Sequence, residues 1–177
     1  MNIMRGEVVG MSQQLTVPPN PGSYERSRCM THAEFLVYLR QTYAGLFDPS
    51  TSEEAWSLFL TANTGWNELI EEYVRRVEVF LAKHGLLSKL YIRQIEEKWG
   101  GLRCYLSPTN GYRPSAEVAA ALGVIYHEIA ERSYHTCDVC GGAGRLKSNN
   151  GCYLTRCNDH IADRRLAMDC RKIGTEL

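Results

Sequence analysis

The chain has 177 residues in which 20 Lys and Arg balance 20 Asp and Glu, with 44% apolar and 23% charged residues and a pI of about 6.9. That composition belongs to a globular chain long enough to bury its own core, one domain with an appendage, and it excludes wholesale disorder. Zero net charge also excludes a protein that grips nucleic acid through overall basicity, leaving only a local patch for that purpose.

Met1 to Gly10 holds Arg5 and Glu7 and no apolar run of the kind a secretory signal needs. The longest nearly apolar run, Ala119 to Tyr126, is eight residues, against the roughly 20 of a membrane helix. The expectation is a cytoplasmic protein with no membrane partner. Residues 1–27 carry Pro18, Pro19, Pro21 and Gly22 without apolar periodicity and read as a flexible arm.

An α+β domain is expected over 28–134. Thr31 to Glu34 spells a capping box, and Phe35, Leu36, Tyr38, Leu39, Tyr43 and Leu46 follow at helical spacing, predicting a helix over 31–46 that Asp48-Pro49 stops. Thr51 to Glu54 repeats the box pattern before Trp56, Leu58, Phe59 and Leu60. Trp66, Leu69, Ile70, Tyr73, Val74, Val77, Phe80 and Leu81 recur at steps of three and four, the clearest amphipathic helix, with Gly85 suited to its C-terminal cap. Its polar face, Glu71, Glu72, Arg75, Arg76 and Glu78, reads as a solvated set. From Leu90 the period shortens to two, and Tyr91–Ile95 and Leu102–Leu106 flank Trp99-Gly100-Gly101 as a β-hairpin. Simple alternation puts Arg93 with Tyr91 and Ile95 on one face, and Gln94 with Ile92 on the other. Ser115 caps a long helix striped by Val118, Leu122, Ile125 and Ile129.

Seven cysteines are present, and Cys137, Cys140, Cys152, Cys157 and Cys170 all fall after residue 136. In a reducing cytoplasm such clustering points to metal before disulfide. Cys137-Asp138-Val139-Cys140-Gly141-Gly142 is a tight thiolate turn, and Cys157-Asn158-Asp159-His160 is a second close pair of ligands. Between them Asn150-Gly151 marks a hairpin turn, and Ile161 to Arg171 reads as a helix. Knuckle, hairpin and helix in that order predict a treble-clef-like zinc module over 135–177, with one zinc ion held by Cys137, Cys140, Cys157 and His160. Cys152 or His135 in place of His160 are the variants, and buried free thiols are the reading without metal. Four protein ligands leave no open position, so the ion is expected to be structural. Cys29, Cys104 and Cys170 read as small buried hydrophobes.

Other motifs carry less. His127-Glu128-Ile129-Ala130-Glu131 lacks the second histidine of a zincin and fits solvated helix positions. Asp159-His160-Ile161 resembles the opening of an HNH nuclease motif, but no Asn and His partners follow and His160 is already needed on zinc. A partner surface is expected from Arg93, Gln94, Lys98, Trp99, Arg103 and Tyr105, since Arg and Tyr on a strand face stack bases or clamp acidic partners. The alternative for the same residues, and for Trp66, is aromatic packing with snorkelling arginines.

Thr64-Gly65-Trp66 with Leu69-Ile70, then Gln94 to Tyr105 with Lys98-Trp99-Gly100-Gly101-Leu102-Arg103, then the cysteine cluster resemble a family of uncharacterised phage and prophage proteins. Its members read "GW…LI", "QIKEKFG-LR-Y" and "CEVCG-PG-LR…W-TLC-H", and the resemblance covers about residues 55–162. Trp99 stands where phenylalanine is common, and about 50 residues precede the matching region. The resemblance implies zinc on the same four residues, a host-cytoplasm location and no assigned reaction. The expected function is therefore a non-enzymatic binding protein that engages a host protein, such as a defence or replication factor. The alternative is a nucleic-acid-binding accessory protein using Arg93, Arg103, Arg145, Lys147 and Arg156. An HNH-like nuclease is the distant third.

Overall fold

The computed structural model describes Ser27 and residues 30–109, 111–149 and 151–161. The arm expected over 1–27, apart from Ser27, lies outside the described residues. So do Cys29, Cys170 and the helix expected over Ile161–Arg171, apart from Ile161.

Helix α1 (His32–Thr42) starts as its sequence dictates: the Thr31 amide donates to Glu34 Oε2 at 2.8 Å and the Glu34 amide to Thr31 Oγ1 at 3.3 Å. This reciprocal box satisfies two amides that the helix itself cannot. A 3-10 turn, Ala44–Leu46, completes the segment. Helix α2 (Glu53–Phe59) is capped by Ser52, whose Oγ accepts from the Ala55 amide, so the cap sits one residue after the expected Thr51. Asp48 explains the shift, because its Oδ1 accepts from both the amide and the hydroxyl of Ser50 and closes the preceding turn.

Helix α3 (Asn67–Lys83) is the central element, with Leu69, Ile70, Tyr73, Val74, Val77 and Leu81 buried. It ends in a Schellman arrangement: Leu86 N–H reaches Leu81 O at 2.8 Å, Gly85 N–H reaches Ala82 O at 3.1 Å, and Gly85 takes φ +64°. The expected solvated face is wrong at Glu71, which is 1% exposed. Its Oε1 accepts from the Tyr38 hydroxyl at 2.7 Å, and the Tyr43 hydroxyl approaches the same oxygen at 3.5 Å. Two phenols from α1 and the turn after it thus serve one oxygen of this buried carboxylate, while Oε2 has no hydrogen-bond partner among the described residues. Burial, with the Glu71 carboxylate adding to it, pushes the Tyr38 hydroxyl up to about 12, and the same causes push Tyr43 higher. Glu72 and Arg76 on the same face are engaged by the next helix rather than by solvent.

Strands β1 (Leu90–Lys98) and β2 (Gly101–Pro108) form an antiparallel hairpin with Ile95 opposite Cys104 and Glu97 opposite Leu102. The register slips between Ile92 and Gln94, leaving Arg93 as the extra residue of a bulge. The expected alternation therefore fails: Ile92 and Ile95 both face the core, and Arg93 is expelled to solvent. Cys104 is buried as expected, and desolvation drives its thiol far above the ordinary range.

Helix α4 (Ala116–Ser133) is capped by Ser115, whose Oγ accepts from the Val118 amide. Leu122, Ile125 and Ile129 turn inward as predicted, while Arg76–Glu128 and Arg132–Glu72 ion pairs join α4 to α3. Glu128, the centre of the zincin-like string, is thus half of a structural pair. Ser133 Oγ accepts from the Leu102 amide at 2.9 Å and fixes the end of α4 on β2. A second hairpin, β3 (Arg145–Asn149) and β4 (Cys152–Arg156), makes the architecture α+β with two small antiparallel sheets. No helix among the described residues is long and apolar enough to cross a membrane.

Candidate metal centre

The chain leaves α4 through a tight turn. Thr136 forms a bridge with Ala143, the Cys137 amide donates to Gly142 O at 2.7 Å, and the Gly141 amide donates to Cys137 O at 2.9 Å. Gly141 takes φ +73°, a conformation most side chains resist. These bonds bend Cys137 and Cys140 towards one point. The β3–β4 hairpin then returns the chain alongside, with the Asp138 amide donating to Thr155 O at 2.9 Å, and delivers Cys157 and His160.

The ligand atoms of Cys137, Cys140, Cys157 and His160 all lie within 4.8 Å of one another. Cys140 Sγ and Cys157 Sγ are 3.9 Å apart, and His160 Nδ1 lies 3.6 Å from Cys137 Sγ and 3.1 Å from Cys157 Sγ. A tetrahedral ion with bonds of about 2.3 Å to sulfur and 2.0–2.1 Å to nitrogen sets edges of about 3.8 and 3.6 Å. Two of the three separations match, and the Cys157–His160 edge is shorter, so the cluster is close enough to hold a metal ion. Burial opposes ionisation of Cys137, but amides of Cys157, Cys140 and Val139 directed at its sulfur hold it down at about 7. Cys140 moves upward: the Gly142 amide favours its thiolate, but desolvation and the sulfurs of Cys137 and Cys157 outweigh it. Sulfurs competing for negative charge are what a bound cation relieves. His135 is exposed beside Glu131, and Cys152 sits at the opposite end of its hairpin, paired with Asn149. Neither joins the cluster, so both variant ligand sets are set aside.

What holds this centre was only partly visible in the sequence. Asp138, 0% exposed, accepts from Arg156 Nε at 3.1 Å and from Asn63 Nδ2 at 2.8 Å. Gly65 lies flat against the knuckle, donating its amide to Asp138 O at 2.9 Å. Trp66 is fully buried, with Nε1 donating to Thr136 O at 2.8 Å. Thus Asn63, Gly65 and Trp66 form the floor of a site whose ligands come more than 70 residues later. The motif-like pairing of Gly65-Trp66 was the available signal, but it carried no hint of which segment it met. Trp66 is therefore a packing residue, and Arg156 is consumed by Asp138.

Of the six expected partner-surface residues, Gln94, Lys98, Arg103 and Tyr105 share the face of the β1–β2 hairpin opposite the buried Ile95, Leu102 and Cys104, while Arg93 sits at the bulge and Trp99 in the turn. Arg103 is held by Tyr134, with Nη2 donating to its hydroxyl at 2.8 Å, and Gln94 donates to Glu96 at 2.9 Å. Tyr105 and Trp99 are exposed, Lys98 is exposed at the hairpin end, and Arg93 lies at the bulge. Arg93 instead borders a cleft of about 320 Å³ with Asp48, Trp56, Phe59 and Tyr91, which sequence periodicity could not reveal. Comparison with protein-family models, curated proteins and solved structures returned no match.

Proposed function

We propose that this chain is a non-enzymatic, phage- or prophage-encoded binding protein, held together at its C-terminal side by one structural zinc ion and engaging a host macromolecule in the host cytoplasm. A host protein of a defence or replication system is the proposed class of target. The observation that carries this reading is the closed ligand set of Cys137, Cys140, Cys157 and His160. Three thiolates and one imidazole are a donor set suited to zinc, and together they fill a tetrahedron without a place for water or substrate. The ion's contribution would be to tie knuckle to hairpin, while Asp138, Arg156 and Gly65 orient the ligand-bearing backbone.

The groups that could have argued for chemistry are spent elsewhere: His160 Nδ1 faces the sulfurs, and Glu128 pairs with Arg76. A nucleic-acid surface loses Arg103 to Tyr134 and Arg156 to Asp138, which weakens the alternative. Purified protein is expected to carry one zinc per chain, to leave plasmid uncut with Mg²⁺ or Mn²⁺, and to pass immobilised DNA at about 50 mM salt. Cleavage abolished by His160→Ala with zinc content and fold intact would instead make His160 a catalytic residue.

A further inference from the structure

The cleft beside the Arg93 bulge is built by three segments distant in sequence: the turn at Asp48, helix α2 and the open end of the first hairpin. Its volume of about 320 Å³ lies at the small end of ligand pockets. Trp56, Phe59 and Tyr91 give it an apolar wall, and Asp48 and Arg93 bring one charge of each sign. A bulge re-aims a side chain, and here it takes Arg93 out of the strand alternation.

Three polar groups in this cleft lack a partner among the described residues. The Arg93 guanidinium joins no ion pair or hydrogen bond. Asp48 spends Oδ1 on the amide and hydroxyl of Ser50 and leaves Oδ2 unused, and no ion pair joins it to Arg93. Trp56 is 3% exposed, yet its Nε1–H has no acceptor. Its ring is edged by Phe47 and Phe59 and covered by the Arg40 guanidinium, side chains that cannot accept a hydrogen bond. A buried donor left in this way is rare and calls for a bound water or ligand.

We infer that the cleft binds a free α-amino acid with an aromatic side chain, its carboxylate on Arg93, its ammonium on Asp48 Oδ2 and its ring against Phe59 and Tyr91. This site goes beyond the binding-protein reading and does not depend on it, because it uses neither the metal centre nor a partner chain. Charge decides the class of ligand. One guanidinium and one carboxylate cancel, so a zwitterion satisfies both, whereas a simple carboxylic acid or amine leaves the other group bare. A nucleoside phosphate would bring a doubly charged group to a single guanidinium, with Asp48 opposing it. An aromatic side chain suits a wall of three rings, which takes edge and offset contacts.

Isothermal titration of the full-length protein with L-phenylalanine and L-tryptophan tests this site, with 3-phenylpropanoate, phenethylamine and AMP as companion probes. Saturable binding of one amino acid per chain is expected, at least tenfold tighter than either half-charged analogue. Arg93→Gln and Asp48→Asn should keep the fold, since Arg93 holds no other group and Asn retains the Oδ1 acceptor for Ser50; thermal unfolding checks this. Arg93→Gln should erase the advantage of L-phenylalanine over phenethylamine, and Asp48→Asn its advantage over 3-phenylpropanoate. Heteronuclear NMR of the indole N–H groups supplies a second readout. The Trp56 signal should move with L-phenylalanine, whereas that of Trp66, already bonded to Thr136 O, should stay. No saturable binding at millimolar amino acid, tighter binding of AMP, or amino-acid affinity unchanged by either substitution would overturn the inference.

Discussion

Gly65→Ala should damage a metal centre that is distant in sequence. A Cβ at Gly65 would stand 2.5 Å from the carbonyl carbon and oxygen of Asp138 and from Cys137 O, well inside the 3.0 Å that real contacts respect. All of these are backbone atoms, so no side-chain rotation relieves the conflict, and the knuckle itself must lift. Overpacking of this kind costs about 1–3 kcal/mol. Weakening the Gly65 amide bond to Asp138 O adds about 1 kcal/mol. Cys137 rides on the displaced backbone, so part of the cost should fall on metal binding, where about 1.4 kcal/mol is tenfold in affinity. Denaturant unfolding with and without zinc, together with chelator competition, separates the two components. Gly123→Ala is the control: it lies inside α4 with nothing within 4 Å of its Cβ, and should stabilise by about 0.5–1 kcal/mol. Gly65→Ala unfolding within about 0.5 kcal/mol of the parent, with unchanged zinc affinity, would refute the packing of the knuckle on Gly65.

Other outcomes follow from the same geometry. Asp138→Ala strands Arg156 in a buried site and should cost about 3–5 kcal/mol in denaturant unfolding, whereas a loss below about 1 kcal/mol would contradict that burial. Tyr38→Phe deprives Glu71 of its shortest hydrogen bond and should cost about 1–2 kcal/mol in the same assay. Because folding raises the Tyr38 hydroxyl from 10 to about 12, its contribution is complete below pH 10 and is lost as pH rises towards 12. Tyrosinate absorbance should therefore show one fewer late-titrating group in Tyr38→Phe. Zinc removal by a chelator should loosen 135–161 while leaving the helical circular dichroism largely intact, since the main core runs from Phe35 to Ile129 and omits the ligands. Limited trypsin digestion should then cut first at Arg145 or Lys147. Collapse of the helical signal together with zinc loss would contradict a core independent of the ion.

The features legible in the sequence were those fixed by neighbours along the chain. The Thr31–Glu34 box, the Gly85 stop, the pairing of β3 with β4 and the spacing of Cys137, Cys140, Cys157 and His160 depend on a few adjacent residues. The features that escaped depend on a distant partner. Glu71 looks like any solvated helix carboxylate until Tyr38 and Tyr43 arrive from another element. Arg93 keeps strand alternation in the sequence, whereas pairing with β2 forces it into a bulge. Gly65 stands out in the sequence only as part of the Thr64-Gly65-Trp66 string, and the approach of Asp138 explains why a side chain cannot be there. Arg103 and Arg156 read as free cations for a ligand and prove to be held by Tyr134 and Asp138.

X-ray absorption at the zinc edge of the purified full-length protein probes the closed centre most directly. One zinc per chain with three sulfurs and one nitrogen, and no oxygen neighbour, is the expected spectrum. A bound solvent oxygen, a loss of one sulfur, or protein that folds fully with no stoichiometric metal would contradict a structural ion enclosed by Cys137, Cys140, Cys157 and His160.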